Sequence, residues 1–278
     1  METIINGFKT NRAFAVTSVL VLCLLLIAIA APVIAPYDPT HAAMKDAFME
    51  PGAQHLFGTD KLGRDCFSRV LYGARASLTG VLVLVASVFV VGTTMGVVSG
   101  YFGGKVDMVI MRISDMMISF PGMILAIAIA GIMGGSLVNA VFALTIVSWT
   151  KYARLARSMV LKVKRRDFVE AAIVNGGTAG HILWAHILPN ILPMMVITAA
   201  ADIGALMMEL AGLSFLGFGS QPPAPEWGLM LNEGRQQLQT APWLMVFPGL
   251  AIFVTVVIFN LWGDNLRDVL DPRDDVED

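Results

Sequence analysis

EAAIVNGGTAGHILWAHILPN, Glu170 to Asn190, interrupts an otherwise oily chain with 21 residues that read as two short helical pieces hinged at Gly176 and Gly177. Asp167 stands where it can satisfy free amide groups at the start of the first piece, Phe168 to Asn175. The glycine pair ends that piece, Thr178 is placed to cap the second, and Pro189 closes it. Phe168, Ala171 and Ala172 fall on adjacent turns and make a small, mostly apolar surface that another protein can cover. The competing reading is an amphipathic hairpin lying on lipid headgroups, with Trp184 at the interface. Local chemistry leaves both open.

On either side of this break the chain is built for a bilayer. Of its 278 residues 56% are hydrophobic and only 14% charged, and the mean hydropathy is strongly positive. With spans of about 20 apolar residues each, that length holds roughly five to seven helices and little else. The expected spans are Ala13 to Pro36, Ser77 to Gly100, Met108 to Met133, Val138 to Tyr152, Ile191 to Leu213 and Trp243 to Gly263. The fold class is therefore all-α, a polytopic membrane protein with six transmembrane helices and both termini on one side. Small residues near Ala28 to Ala31 also fit a cleavable signal peptide, but the first run is long enough to span and the chain behind it is itself multi-spanning.

Orientation comes from Lys and Arg. With a cytoplasmic N-terminus, thirteen of the nineteen fall inside: Lys9, Arg12, Lys105, Arg112, the cluster Lys151, Arg154, Arg157, Lys162, Lys164, Arg165 and Arg166, then Arg267 and Arg273. Lys45, Lys61, Arg64, Arg69, Arg75 and Arg235 fall outside. Inverting the chain would strand the densest cluster on the wrong face, so the Glu170 loop is placed in the cytoplasm.

Several classes are excluded. The net charge of -2 comes with no basic, aromatic-interleaved surface for nucleic acid. Cys23 and Cys66 form no disulfide or metal framework. GYFGGKV, Gly100 to Val106, has one residue too few between its glycines for a phosphate loop, lacks Ser or Thr after Lys105, and comes after a span instead of a strand. The chain is not itself an ATPase, and it carries no catalytic triad, zinc spacing or acid-base carboxylate pair.

Carboxylates inside spans cost roughly 2.5 to 3.5 kcal/mol each at a helix centre. Asp202 and Glu209 lie in the fifth expected span, and Asp115 near the start of the third. Seven residues of helix put Asp202 and Glu209 about 20° apart on one face and roughly 10 Å along the axis. Met207 and Met208 beside them offer soft sulfur, so one reading is a cation route for a transition metal or its chelate. The other is structural, each carboxylate being held by a partner helix. The separation is too great for both to ligate one ion, and no metal site is assigned. His181 and His186, five apart, are expected on different faces of a helix, and His41 and His55 lie in the extracytoplasmic segment, where they could receive a metal. Pro222, Pro223 and Pro225 stiffen the outer loop from Ser214 to Pro242, with Trp227 and Trp243 suited to the headgroup layer.

Glu170, Ala171, Ala172, then Gly176, then Leu188 and Pro189 at matching offsets resemble the signature loop of permease subunits of ATP-binding-cassette importers. The usual isoleucine two residues before the leucine is His186 here, and HILPN is similar to the peptide and nickel branch. Three further segments resemble that branch in the correct order: Gly58 to Leu78, Ser214 to Leu231, and the tail Gly263 to Arg273. The resemblance implies a second-permease (C-type) chain with the type I permease fold. Its residues 1–75 would form a cytoplasmic stub, first helix and extracytoplasmic segment. Residues 76–278 would form a five-helix core with coupling loop 161–190 and cytoplasmic tail 264–278. It further implies a heterodimer with a second permease subunit and two ATP-binding subunits that hold ATP and Mg, docked at Glu170, Ala171, Ala172, Gly176, His186, Leu188 and Pro189. An extracytoplasmic solute-binding protein would deliver the cargo, and the bacterial inner membrane would be the location. ADIGALMMELAGLSFLG and the compact length look closer to nickel members, with dipeptides or oligopeptides as the alternative cargo. A carrier driven by an ion gradient through Asp202 and Glu209 explains the carboxylates but not the loop.

Overall fold

The computed structural model describes residues 11–270, and these fold into helices with no β-strand among them. Lys9, Arg273 and the tail beyond Leu270 lie outside the described residues. Helix α1 (Arg12–Ile34) is capped by Asn11, whose side chain accepts from the Phe14 amide at 3.0 Å. Much of its surface is bare aliphatic side chain, such as Leu22, Ile29 and Val33, as a lipid-facing helix requires. Helix α2 (Cys66–Phe102) has 37 residues, about 55 Å of helix, so it outruns the roughly 30 Å hydrocarbon core. It packs against α1 and lies along α5 (Leu137–Val163).

The α2–α5 seam is made by absence of side chain. Gly92, Gly96 and Gly100 recur every fourth residue and so line one face of α2. A Cβ on Gly96 would stand 2.3 Å from the Ala153 carbonyl oxygen and 2.7 Å from the Ala156 Cβ. One on Gly92 would stand 2.4 Å from the Tyr152 Cβ, and one on Gly100 2.9 Å from the Val160 Cβ. Small residues that let two backbones approach are the usual way apolar helices recognise each other where lipid offers no hydrophobic gain.

The remaining elements wrap this pair. Helices α3 (Gly104–Ile118) and α4 (Gly122–Met133) are bent by 94° at Ser119–Pro121. Proline cannot donate to the ladder and disfavours helix in the residue before it, so the expected straight span Met108 to Met133 is broken there. Helix α6 (Asp167–Val174) leads into α7 (Ala179–Ile182), then a π turn (Leu183–Ile187), then α8 (Leu188–Phe215). Helix α9 (Trp227–Gly234) packs on α8 and α10 (Trp243–Leu270), and α8 and α10 lie together.

Among the described residues, four helices are long and apolar enough to cross a membrane, or five if the bent α3–α4 pair is one span. Length and apolarity therefore fall short of the expected six. Helix α5 has ample length, but Lys151, Arg154, Arg157 and Lys162 crowd its second half.

The N-terminal end of α2, outer in the expected orientation, is closed by charge. Arg64 and Arg69, each 1% exposed, share Asp60 and Glu233: Arg64 Nε lies 2.6 Å from Asp60 Oδ2, and Arg69 Nη2 donates to Glu233 Oε2 at 2.7 Å. Burial acts to lower the Arg64 pKa, but the Asp60 and Glu233 carboxylates outweigh it and hold the guanidinium above its ordinary value. Trp227 and Trp243, expected at the headgroups, are buried instead. Their ring N–H groups donate to the carbonyls of Val70 at 2.9 Å and Thr59 at 3.1 Å, which makes them pins for this outer cap.

Gly96→Leu should separate α2 from α5, because the added side chain meets backbone that cannot swing away. The expected outcome is loss of protease-resistant folded protein at normal synthesis, measured by limited proteolysis of membranes, with Gly96→Ala intermediate.

Candidate functional site

The Glu170 hairpin begins with the acidic residues Asp167 and Glu170 in the first turn of α6, where they favour the positive end of the helix dipole. Asp167 is inside the helix and makes no cap. Arg166 occupies the capping position without a side-chain bond, a correction to the expected role of Asp167. The end of α6 is as expected: the Gly177 amide donates to the Ala172 carbonyl and the Gly176 amide to the Ile173 carbonyl, both at 3.0 Å. This crossed pair requires a left-handed residue, and Gly176 has φ +78°. The Thr178 side chain then accepts from the His181 amide at 3.4 Å and opens α7.

Pro189 does not close the second piece. The chain runs through it as helix from Ala179 to Phe215. Proline has no amide hydrogen for the usual bond to the carbonyl four residues back. Immediately before it the ladder shifts by one, the Leu188 amide donating to the Leu183 carbonyl. The shift brings His181 and His186 together, ring centroids 5.6 Å apart, although a five-residue spacing was expected to separate them.

The hairpin is held from beneath. Val169, Ile182, Ile187 and Ile191 are buried with Val97 of α2 and Val160 of α5, with Leu188 packed beside them. Its outer side presents Glu170, Ala171, Gly176 and Pro189 to the surroundings, with Phe168 at 45% exposure and Trp184 at 76%. His186 is half-buried, its ring 6.2 Å from that of Phe168.

A second site runs along α5, whose basic cluster does more than mark a membrane face. Lys151 Nζ donates to both Asp202 oxygens at 2.7 Å, and Arg154 Nη2 to Asp115 Oδ1 at 2.6 Å. Arg157 donates to Asp107 at 2.5 and 2.6 Å. Asp115 is thus a paired, exposed group of an amphipathic helix, not a charge stranded in lipid. Glu209, exposed in the single chain, faces Ser148 and lies within the field of Asp202 and Lys151. Met207 packs in the core at 2% exposure, while Met208 is 55% exposed. Met208 lines an apolar cavity of about 570 Å³ with Phe215, Leu231, Met245 and Phe253, between α8, α9 and α10.

In the outer segment His55 Nδ1 is bonded to Asp65 Oδ1 at 2.9 Å, and Asp65 also caps α2 through the Ser68 amide. Both cysteines are free. Sequence reading missed Lys151 as the partner of Asp202, the Gly92–Gly96–Gly100 stripe and the buried Asp60–Arg64–Arg69–Glu233 cluster. The four-residue glycine spacing was visible, and so was the four-residue spacing of Asp60 and Arg64; the Lys151–Asp202 pair and the pairs with Glu233 join residues 51 to 169 apart and left no local signal.

Residues 92–274 match the family described as binding-protein-dependent transport system inner membrane component, and residues 3–51 match the N-terminal TM domain of oligopeptide transport permease C. Three curated relatives align over almost the whole chain. The dipeptide transport system permease protein of Alkalihalophilus pseudofirmus is 43% identical, across 95% of this chain and 87% of the relative. The glutathione transport system permease protein of Pectobacterium atrosepticum is 43% identical, across 96% and 89%. The nickel transport system permease protein of Escherichia coli K12 is 39% identical, across 96% and 97%.

Lys151→Ala should destabilise the chain by leaving Asp202 uncompensated, and adding Asp202→Asn should restore much of the loss. A coupling energy of about 0.5–3 kcal/mol is expected from the thermal midpoints of the four proteins in a double-mutant cycle.

Proposed function

This chain belongs to the family of binding-protein-dependent transport system inner membrane components, and from that premise we propose how its parts work. It is a permease subunit of an ATP-binding-cassette importer of the peptide and nickel family, a multi-pass inner-membrane protein. We infer that α5 crosses the bilayer with its charges paired, that the bent α3–α4 pair completes one further span, and that six spans leave both termini in the cytoplasm. Residues 1–75 are then the peripheral first unit and residues 76–278 the core.

The hairpin is read as the handle for one of two ATP-binding subunits, which hold ATP and Mg and do the hydrolysis. A second permease subunit completes the path, and an extracytoplasmic binding protein supplies the solute. One observation carries this reading: a glycine-closed hairpin whose inner side is buried on α2 and α5 and whose outer side leaves Phe168, Ala171 and Gly176 uncovered. A pull on that surface reaches the ends of two long helices directly. Glu170 contributes a negative charge at the docking face; His186, Leu188 and Pro189 shape the return of the chain into α8.

For the path we assign Asp202, Glu209 and Met208, with Lys151 holding Asp202. The cargo is read as nickel or a metal chelate, with a dipeptide or oligopeptide equally supported by the relatives' names. Charges of both signs beside a thioether and an apolar cavity suit either class.

Gly176→Val should abolish transport at unchanged membrane abundance, because a β-branched residue is strained at positive φ even though space for its Cβ is open. Gly176→Asn, which tolerates that region, should retain transport; normal uptake by the Val variant rejects the docking role. Asp202→Asn combined with Glu209→Gln should slow nickel uptake more than dipeptide uptake if the carboxylates form a cation route. Equal effects on the two labelled solutes reject it.

A further inference from the structure

We propose that His181 and His186 form a chelating site for a borderline divalent transition-metal ion, of the nickel, zinc or copper type, on the cytoplasmic hairpin. Helical residues five apart ordinarily diverge, but the π turn at Leu183–Ile187 sets these two rings edge to face, at 5.6 Å between centroids and 85° between planes. Neither imidazole has a hydrogen bond or ion pair to another of the described residues, so both keep a nitrogen for a ligand. His181 is exposed, and His186 is steadied by Phe168 at 6.2 Å.

Metal–imidazole bonds of about 2.0–2.1 Å put the two donor nitrogens about 2.9 Å apart at neighbouring corners of a square-planar nickel or copper site and about 3.3 Å apart around tetrahedral zinc, separations that rings at this spacing reach by side-chain rotation. Neutral imidazole suits these ions. Among the described residues no cluster of three or more metal-ligating side chains occurs, so water fills the other positions. The ion therefore binds reversibly from the cytoplasm and is not a structural centre.

Its position beside Phe168 places a hydrated charge at the surface assigned to the ATP-binding subunit. Cytoplasmic metal then opposes docking, a consequence that rests on the docking reading, whereas binding of the ion does not.

The test is calorimetric titration of nickel chloride into the full chain, purified in nanodiscs through a tag without histidine. One saturable site is expected, weakened about tenfold or more by His181→Gln or His186→Gln and unchanged by His41→Gln with His55→Gln. His181→Gln alters an exposed side chain, so its effect is not one of misfolding. No saturable binding, or binding that survives the double His181/His186 variant, overturns the site. In the assembled importer, nickel on the ATPase side should inhibit transport by the native chain and spare the His181→Gln variant, whose altered side chain is exposed and outside the docking residues. Equal inhibition of both overturns the competition alone, and the docking reading still stands or falls on Gly176→Val.

Discussion

The close contact of α2 with α5 is the constraint on which the rest of the molecule hangs. In hydrocarbon two apolar helices gain nothing by hiding from lipid, so they stay together through dispersion at short range. Gly92, Gly96 and Gly100 provide that range by letting the backbone of α5 sit where side chains would stand. The Gly100 end of the seam then sets the positions of Val97 and Val160, which bury Val169, Ile182 and Ile187 and so seat the hairpin. The hairpin thus rests on both members of this pair.

Electrostatics is organised around the same helix. Three cations spaced along α5 each take a carboxylate from another element: Lys151 from α8, Arg154 and Arg157 from α3. Pairing is what makes a charged helix tolerable near a bilayer, since an unpaired charge either costs insertion energy or recruits water. At the other end of α2 the same logic appears in drier form, where two buried arginines and two acids tie the start of α2 and the segment before it to α9. Removing one member of such a cluster is far more damaging than never having built it, because the others remain buried without compensation.

Much of the fold was legible in the chain. Hydrophobic runs placed α1, α2, α8 and α10, and the glycine pair placed the end of α6 to within one residue, since few residues other than glycine sit comfortably at φ +78°. The loop motif led to the family. What escaped were features that arise between elements. The expected span Met108 to Met133 ran straight through Pro121, where the chain bends by 94°. Pro189 looked like a terminator; the helix instead absorbed it through a wider turn, and that turn moved two histidines into contact. Trp227 and Trp243 carried an interfacial signature and are buried pins, because their ring N–H groups found carbonyls in segments far along the chain.

By itself the sequence determined that this is a helical membrane protein with a polar hairpin of the importer-permease kind, because span length, glycine punctuation and local motifs are properties of contiguous residues. Only the tertiary structure decided that Asp202 is held by Lys151, that Met207 is core while Met208 faces a cavity, and that His181 meets His186. Two of these depend on which neighbour a side chain meets after helices from distant parts of the chain have packed. The third depends on a one-residue shift in a hydrogen-bond ladder, which composition and spacing do not encode.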